Sequence, residues 1–192
     1  MKTNFNILIC GVGGQGTILA RKIACSAFFS EGYDVKASEV HGMAQRGGSV
    51  VTHLRVGSNI FSPLVEKGQA DYILAFEPLE ALRFLPYLKK GGQLIVNTQQ
   101  VFPIPVLTGE AEYPPNILDR IKAIVPEAIE IDALQIACLA GNPKAVNVVL
   151  LGVLAKLLPV DKSSWLEALE QNVPTRYKEL NLNAFESVYS IK

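Results

Sequence analysis

The sequence predicts a three-layer α/β/α domain built on a mixed sheet. Short apolar runs alternate with stretches whose apolar positions recur at helical spacing, and the last third of the chain reads as helix throughout. One β-branched run is followed by a tight turn and a short return run, which is a hairpin and puts antiparallel pairing into an otherwise parallel sheet. The chain has 192 residues, which suits one domain at roughly 150 residues per domain. Apolar residues make up 49% of it and charged residues 19%, against about 45–50% and about 25% in ordinary globular chains. That balance excludes a disordered chain and is enough for a substantial core.

The elements follow in order. Asn4–Cys10 is a short apolar run ending in glycines and reads as a buried strand. Gly11–Gly16 is a glycine loop, and Thr17–Phe29 has helical apolar spacing until Gly32 stops it. Asp34–Glu39 is a second strand; Ser49–Val56 is a third, with Gly57-Ser-Asn59 turning into Ile60-Phe61. Asp71–Phe76 and Gln93–Asn97 are further buried strands, with a helix over Leu79–Leu88 between them. Pro103, Pro105, Pro114 and Pro115 mark an extended segment able to wrap a surface or line a cleft. A helix over Ile117–Val125 and a strand at Ile129–Asp132 follow, then helices over Ala133–Ala140, Lys144–Leu158, Ser164–Gln171 and Thr175–Ile191. Pro143 suits a helix first turn and Pro159 a stop.

Charge and composition exclude several function classes. Eighteen basic and eighteen acidic residues cancel, so no global field steers the chain to nucleic acid or an anionic membrane. The longest apolar stretch, Ala145–Val160, is interrupted by Asn147, Gly152 and Lys156 and is shorter than the roughly 20 residues a bilayer span needs. The first residues reach glycines before a signal peptide's apolar region could form, so the expected location is the cytoplasm. Cys10, Cys25 and Cys138 are far apart, which argues against a disulfide framework and against thiolate sets for iron–sulfur clusters or zinc. All three read as small core residues. With only His41 and His53, no metal site is expected.

Gly11, Gly13 and Gly16 fit G-x-G-x-x-G after a strand and before a helix. In that spacing the first glycine permits the turn, the second lets a phosphate approach the backbone, and the third lets helix and strand pack closely. Free N–H groups at the helix start then face an anion. Glu39 stands where an acid would hold a ribose hydroxyl. By itself this describes a Rossmann-like NAD or FAD site. Against it, Glu39 runs into a second glycine-rich segment and then the hairpin, so the βαβαβ unit breaks after its second strand, and Gly14 adds a fourth glycine. A nucleotide site, backbone approach to a partner and a plain strand-to-helix turn all stay open.

The second segment sets His41, Met43, Gln45 and Arg46 between Gly42 and the pair Gly47-Gly48. Glycines allow a loop to aim side chains. Arg46 could grip a carboxylate or phosphate in bidentate fashion, and His41 could exchange a proton near neutral pH; the bland alternative is a solvated loop. Both glycine loops would emerge beyond the carboxyl ends of strands, where sites in open α/β sheets lie.

Together, Gly11-Val-Gly-Gly-Gln-Gly16 and Glu39-Val-His-Gly-Met-Ala-Gln-Arg-Gly-Gly-Ser49 resemble the gamma-type subunits of pyruvate and other 2-oxoacid:ferredoxin oxidoreductases. The form His-Gly-Met-Ala-Gln-Arg-Gly-Gly is most similar to the beta subunits of indolepyruvate:ferredoxin oxidoreductases. The resemblance extends over nearly the whole chain and includes Asn147-Val-Val-Leu-Leu-Gly152. It implies one gamma-type domain over residues 1–192, with the fold of the gamma domain of pyruvate:ferredoxin oxidoreductase. It further implies an accessory subunit, inactive alone, whose larger alpha-type partner carries thiamine diphosphate and [4Fe-4S] clusters. Such a complex decarboxylates an aryl 2-oxoacid, passes electrons to ferredoxin and transfers the acyl group to coenzyme A. No Gly-Asp-Gly of the thiamine-diphosphate binders occurs here, and no cofactor is expected on this chain alone, since cofactors carry such chemistry.

On this reading Arg46 and His41 are the candidate polar contacts, while Gly11, Gly13, Gly14, Gln15, Gly16, Glu39, Gly42, Met43, Gln45, Gly47 and Gly48 form cofactor-binding or partner-facing loops. The alternatives are a stand-alone NAD- or FAD-binding oxidoreductase and a coenzyme A-binding module. Tyr72, Phe76, Phe84, Tyr87, Phe185 and Tyr189 read as core or interface aromatics, Trp165 as an anchor for a late helix, and Asp132 as a helix N-cap.

Overall fold

In the computed structural model, described here for residues 3–42 and 47–190, a six-stranded sheet has the order β2-β3-β1-β4-β5-β6. The strands are β1 (Phe5–Val12), β2 (Asp34–His41), β3 (Ser49–Gly57), β4 (Ala70–Ala75), β5 (Leu88–Asn97) and β6 (Ile129–Ile131). β1, β4, β5 and β6 are parallel neighbours, while β3 lies antiparallel between β1 and β2. The helices are α1 (Thr17–Ser30), α2 (Pro78–Phe84), α3 (Ile104–Leu107), α4 (Ile117–Ile124), α5 (Ala133–Leu139), α6 (Val146–Leu157), α7 (Lys162–Asn172) and α8 (Lys178–Tyr189).

The pleat explains the layers. Successive strand residues point to opposite faces, and here both faces are apolar. Ile7 and Ile9 of β1, Leu54 and Val56 of β3, Leu74 of β4 and Ile95 of β5 face a core shared with α1, α5, α6, α7 and α8. Leu8 and Cys10, Val51, Ile73 and Ala75, and Leu94 and Val96 face the other core, under α2 and α4. The sequence runs are therefore continuous rather than alternating, as strands covered on both sides should be.

α6 runs inside the first core, with every residue from Asn147 to Ala155 buried. It packs against β4 and β5 on one side and α8 on the other. At Gly152 the two helices nearly touch: a Cβ there would lie 2.6 Å from Val188 Cγ2 and 3.0 Å from the Phe185 carbonyl oxygen. Trp165 is fully buried and meets Phe28 of α1 edge-on at 5.9 Å, so it ties α7 to α1, as its late position suggested. Truncating such a residue costs about 3–5 kcal/mol.

The mixed sheet arises differently from the expected hairpin. Ser49–Gly57 pairs with β2 and β1 rather than with Ile60-Phe61, so the antiparallel connection is the segment before β3, not the turn after it. Ile60 is held by a side chain instead of a ladder: its N–H donates to Asp34 Oδ2 at 2.8 Å. The expected helix over Leu79–Leu88 ends at Phe84 and continues as a 3-10 turn. The proline-rich stretch contains the short α3. Residues 143–145 and 175–177 form 3-10 turns ahead of α6 and α8, and Ile191 lies outside the described residues. Asp132 caps α5 as expected, its Oδ1 accepting from Gln135 N–H at 2.9 Å.

The cysteines do not share one environment. Cys10 is buried, Cys25 is half-buried and Cys138 is exposed, because α5 turns that face outward beside Leu139. Among the described residues no helix is long and apolar enough to cross a membrane.

Candidate functional site

The strand order reverses between β1 and β4: the chain leaves β1 for the β2-β3 side and returns to β4 on the other. Ligands of open α/β sheets bind at such a switch point, beyond the carboxyl ends of the strands. Both glycine loops lie at that edge. A cavity of about 580 Å³, wider than those near the loops, lies elsewhere, at the start of β5 among Leu88, Gly92, Ile124 and Pro126. It has no connection to the loops, so the strand topology locates the candidate site better than size does.

Side-chain amides cross-link the carboxyl edge. Gln15 Oε1 accepts from Val12 N–H at 2.8 Å, and its Nε2 donates to the Phe76 carbonyl at 3.0 Å. Buried Asn97, the last residue of β5, donates to the same carbonyl at 3.2 Å and accepts from Ala133 N–H at 3.2 Å. The ends of β1, β4 and β5 and the start of α5 are thereby one network, whose buried polar groups are satisfied as burial demands.

Gly16 opens α1 in the left-handed region, at φ +82°. A Cβ there would lie 2.7 Å from Asn147 Nδ2, so the position needs glycine for conformation and for space. Asn147 donates from Nδ2 to the Gly16 carbonyl at 3.3 Å and accepts on Oδ1 from Val148 N–H at 3.0 Å. One asparagine in an otherwise apolar helix thus pins the third glycine of the motif.

The Gly47-Gly48 end of the second segment pairs with the first loop. Gly13 N–H donates to the Gly48 carbonyl at 2.9 Å, and Gly47 N–H donates to the Gly13 carbonyl at 3.3 Å. Gly13 is the position whose backbone a pyrophosphate would approach, and both its polar groups are engaged by protein. Gly11 is buried, Gly14 is exposed, and Gly42 closes the base of the second loop through its N–H to the Ser49 carbonyl at 2.8 Å. Met43, Gln45 and Arg46 lie outside the described residues.

Glu39 and His41 come together, but away from the glycine loop. Glu39 sits on β2, two strand spacings from β1, or about 10 Å, because β3 intervenes. Its carboxylate is occupied: Arg21 Nε of α1 lies 3.1 Å from Oε2, and His41 Nε2 lies 2.5 Å from Oε1. Where a dinucleotide fold needs a free acid on the strand next to β1, this sheet offers an ion-paired acid on its edge. That difference follows from the inserted antiparallel strand.

Two carboxylates escaped the sequence reading. Glu77 is fully buried and Glu80 nearly so, both at the start of α2, just past the end of β4. Glu77 Oε2 caps the helix by accepting from Glu80 N–H at 3.0 Å. Its Oε1 accepts from Tyr113 O–H at 2.5 Å and from Val101 N–H at 3.4 Å. Glu80 Oε2 accepts from Ser49 Oγ–H, and Oε1 pairs with Arg83 Nε at 3.2 Å. Burial pushes the Glu80 carboxyl above its usual range, against the hydrogen bond from Ser49. Burial and the Glu77 carboxylate push the Tyr113 hydroxyl up as well, which keeps it a donor. Between these groups lies a cavity of about 140 Å³, lined among others by Val12, Gly47, Ser49 and Val101. A wider crevice of about 450 Å³ opens alongside, past Gly14, Gln15, Gln99 and Lys144. The available signal was positional: Phe76-Glu77-Pro78-Leu79-Glu80 follows directly on a buried strand.

The donor set of this chain does not suit an iron–sulfur cluster. Cys10 packs in the core under α2 and Cys25 against the opposite core, with the sheet between them. Burial raises both thiols, Cys10 well above its usual value, and the Cys10 Sγ–H donates to the Glu80 carbonyl at 3.7 Å.

Residues 6–191 match the family model described as pyruvate ferredoxin/flavodoxin oxidoreductase. The chain is 41% identical to the indolepyruvate oxidoreductase subunit IorB of Thermococcus kodakarensis over 189 residues, covering 95% of this chain and 93% of that one. The IorB subunit of Pyrococcus horikoshii is similar to the same degree, 41% identical with the same coverage. Among solved structures, the gamma subunit of a keto/oxoacid ferredoxin oxidoreductase from Geobacter sulfurreducens superimposes with a TM-score of 0.71 at 25% identity, over 97% of this chain and 96% of that one.

Proposed function

The chain belongs to the pyruvate ferredoxin/flavodoxin oxidoreductase family, and we propose that it is the small subunit of an indolepyruvate:ferredoxin oxidoreductase. The observation that carries this reading is the end-to-end similarity, at 38–41% identity over about 95% of the chain, to proteins named as subunits of indolepyruvate oxidoreductase. The whole chain, residues 1–192, acts as one gamma-type domain beside a larger alpha-type subunit, in a cytoplasmic complex. That partner holds thiamine diphosphate and [4Fe-4S] clusters. With them the complex decarboxylates indolepyruvate or a related aryl 2-oxoacid, passes electrons to ferredoxin and forms the coenzyme A thioester.

This chain's part is to present a shaped edge. The locked pair of glycine loops, residues 11–16 and 42–48, faces the partner, with Arg46 as the polar contact and Gln15 holding the first loop against β4. Met43 and Gln45 are further candidate contacts with the partner. His41 and Glu39 act at the base of the second loop, where Glu39, held by both Arg21 and His41, steadies its entry. The interlocking backbone bonds of Gly13, Gly47 and Gly48 support a docking surface over a pyrophosphate cradle.

Anaerobic affinity purification of the tagged chain from its native cells tests the proposal. A larger brown partner, with the visible absorption of iron–sulfur clusters, is the expected result. A colourless chain recovered alone, stabilised by NAD, FAD or coenzyme A in a thermal-shift titration, would replace it with a nucleotide-binding module.

A further inference from the structure

We propose that Glu77 and Glu80 are positioning residues, each holding one of the two segments that flank the glycine loop in the conformation that docks on the large subunit. The docking half of this inference rests on the function proposed above; the positioning half does not. A helix N-cap needs only one short acceptor, and Ser, Thr, Asp or Asn supplies it at little desolvation cost. Here two long carboxylates are withdrawn from water instead, which is unfavourable unless hydrogen bonds compensate. Within α2 the compensation is the Glu80 N–H and the Arg83 guanidinium; the other three partners come from outside the helix, and they divide cleanly. Glu80 takes the hydroxyl of Ser49, the residue that ends the 42–48 loop and begins β3. Glu77 takes the hydroxyl of Tyr113 and the N–H of Val101, which bracket the proline-rich segment.

The two segments differ in what else holds them. Gly47 and Gly48, just ahead of Ser49, are tied to the glycine loop through Gly13. The proline-rich segment carries Phe102, Ile104 and Leu107, all exposed, so its apolar residues add little to its own anchorage, and Tyr113 packs edge-on against Phe102 at 5.1 Å. With α2 rigidly seated on β4, the Glu77-Glu80 turn is a fixed post between two loops. Ser49 and Tyr113 are its handles, and each can be removed by deleting one oxygen.

The test uses the full chain carrying Ser49→Ala or Tyr113→Phe, with Glu80→Gln, which keeps an acceptor, as the conservative control. Hydrogen exchange on the free chain should rise about two- to tenfold, the change one hydrogen bond represents. The rise should be confined to residues around 47–50 for Ser49→Ala and to residues 98–113 for Tyr113→Phe, with Glu80→Gln close to wild type in both. In the reconstituted complex, the amount of chain giving half-maximal indolepyruvate oxidation should rise several-fold for both variants, with the maximal rate at saturation unchanged. A merely structural role would lower the melting temperature and loosen both segments together, and that result overturns the proposal. So does loosening without any change in half-saturation. If the wild-type chain supports no oxidation with the large subunit, the functional reading fails, while the exchange pattern still decides the positioning.

Discussion

Replacing Gly16 with alanine should be among the most damaging single changes at the carboxyl edge, and its size follows from two separate terms. The residue has φ +82°, and an L side chain in the left-handed region costs about 1–2 kcal/mol. The new Cβ would also lie 2.7 Å from Asn147 Nδ2 and 3.1 Å from its Cγ. Asn147 is buried on α6 and cannot swing to solvent, so relief requires a shift of α6 or loss of its bond to the Gly16 carbonyl, about 1–3 kcal/mol. Together Gly16→Ala should cost about 2–5 kcal/mol, or about 5–15 °C in Tm for a chain of this size. Asn147→Ala alone should cost about 0.5–1.5 kcal/mol by removing one of the two donors to that carbonyl, which keeps the Ala20 N–H. The double variant should cost at least about 1 kcal/mol less than the sum, because the amide that clashes is gone. Urea unfolding followed by fluorescence reads this directly, since Trp165 is the single tryptophan and is fully buried. A Gly16→Ala variant within about 0.5 kcal/mol of wild type, or singles that simply add, would refute the reasoning.

Gly152→Ala should push α8 off α6, costing about 1–3 kcal/mol, with Val188→Ala in the same chain recovering part of the loss; urea unfolding of both chains measures it, and no recovery would mean that Val188 is not the obstacle. Because burial raises the Glu80 carboxyl above 4.5, the folded state binds its proton more tightly than the unfolded one. Its contribution to stability is therefore full below pH 4.5 and lost as pH rises through the raised folded value. Thermal melts of wild type and Glu80→Gln across that window should diverge in favour of glutamine as pH rises; parallel curves would contradict the assignment. Arg46→Ala should lower the activity of the complex about tenfold or more, the worth of a charge-assisted contact, with no change in the chain's Tm. Unchanged steady-state kinetics would remove Arg46 from the interface.

The strands β1, β4 and β5 were legible because both faces are buried, which leaves continuous apolar runs bounded by glycines and turns. Strand order was not. Whether Ser49–Gly57 turns back on Ile60-Phe61 or runs between β1 and β2 depends on long-range pairing, and the Gly57-Ser-Asn59 turn is compatible with either. The same insertion decides the meaning of Glu39, which by spacing suits a ribose and by topology is an edge-strand acid bound to Arg21 and His41. Glu77 and Glu80 read locally as ordinary acids in a helix first turn, favourable to its dipole. Their partners come from distant segments folding against them: Val101 and Tyr113, 24 and 36 residues from Glu77, and Ser49, 31 residues from Glu80. Asn147 is the opposite case: a polar residue inside the apolar stretch of α6 marked itself, and the structure supplies its partner in Gly16. Cys138 was misjudged because cysteine's usual burial says nothing of which face of α5 it occupies.

The central claim, that this chain is a required but cofactor-free subunit, is tested most directly by anaerobic reconstitution. The purified large subunit would be assayed with indolepyruvate, coenzyme A and ferredoxin while this chain is titrated in. The account predicts little ferredoxin reduction by either protein alone and a saturable rise in rate that levels at a fixed ratio of the two. Full activity from the large subunit alone, or none at any ratio, would contradict it.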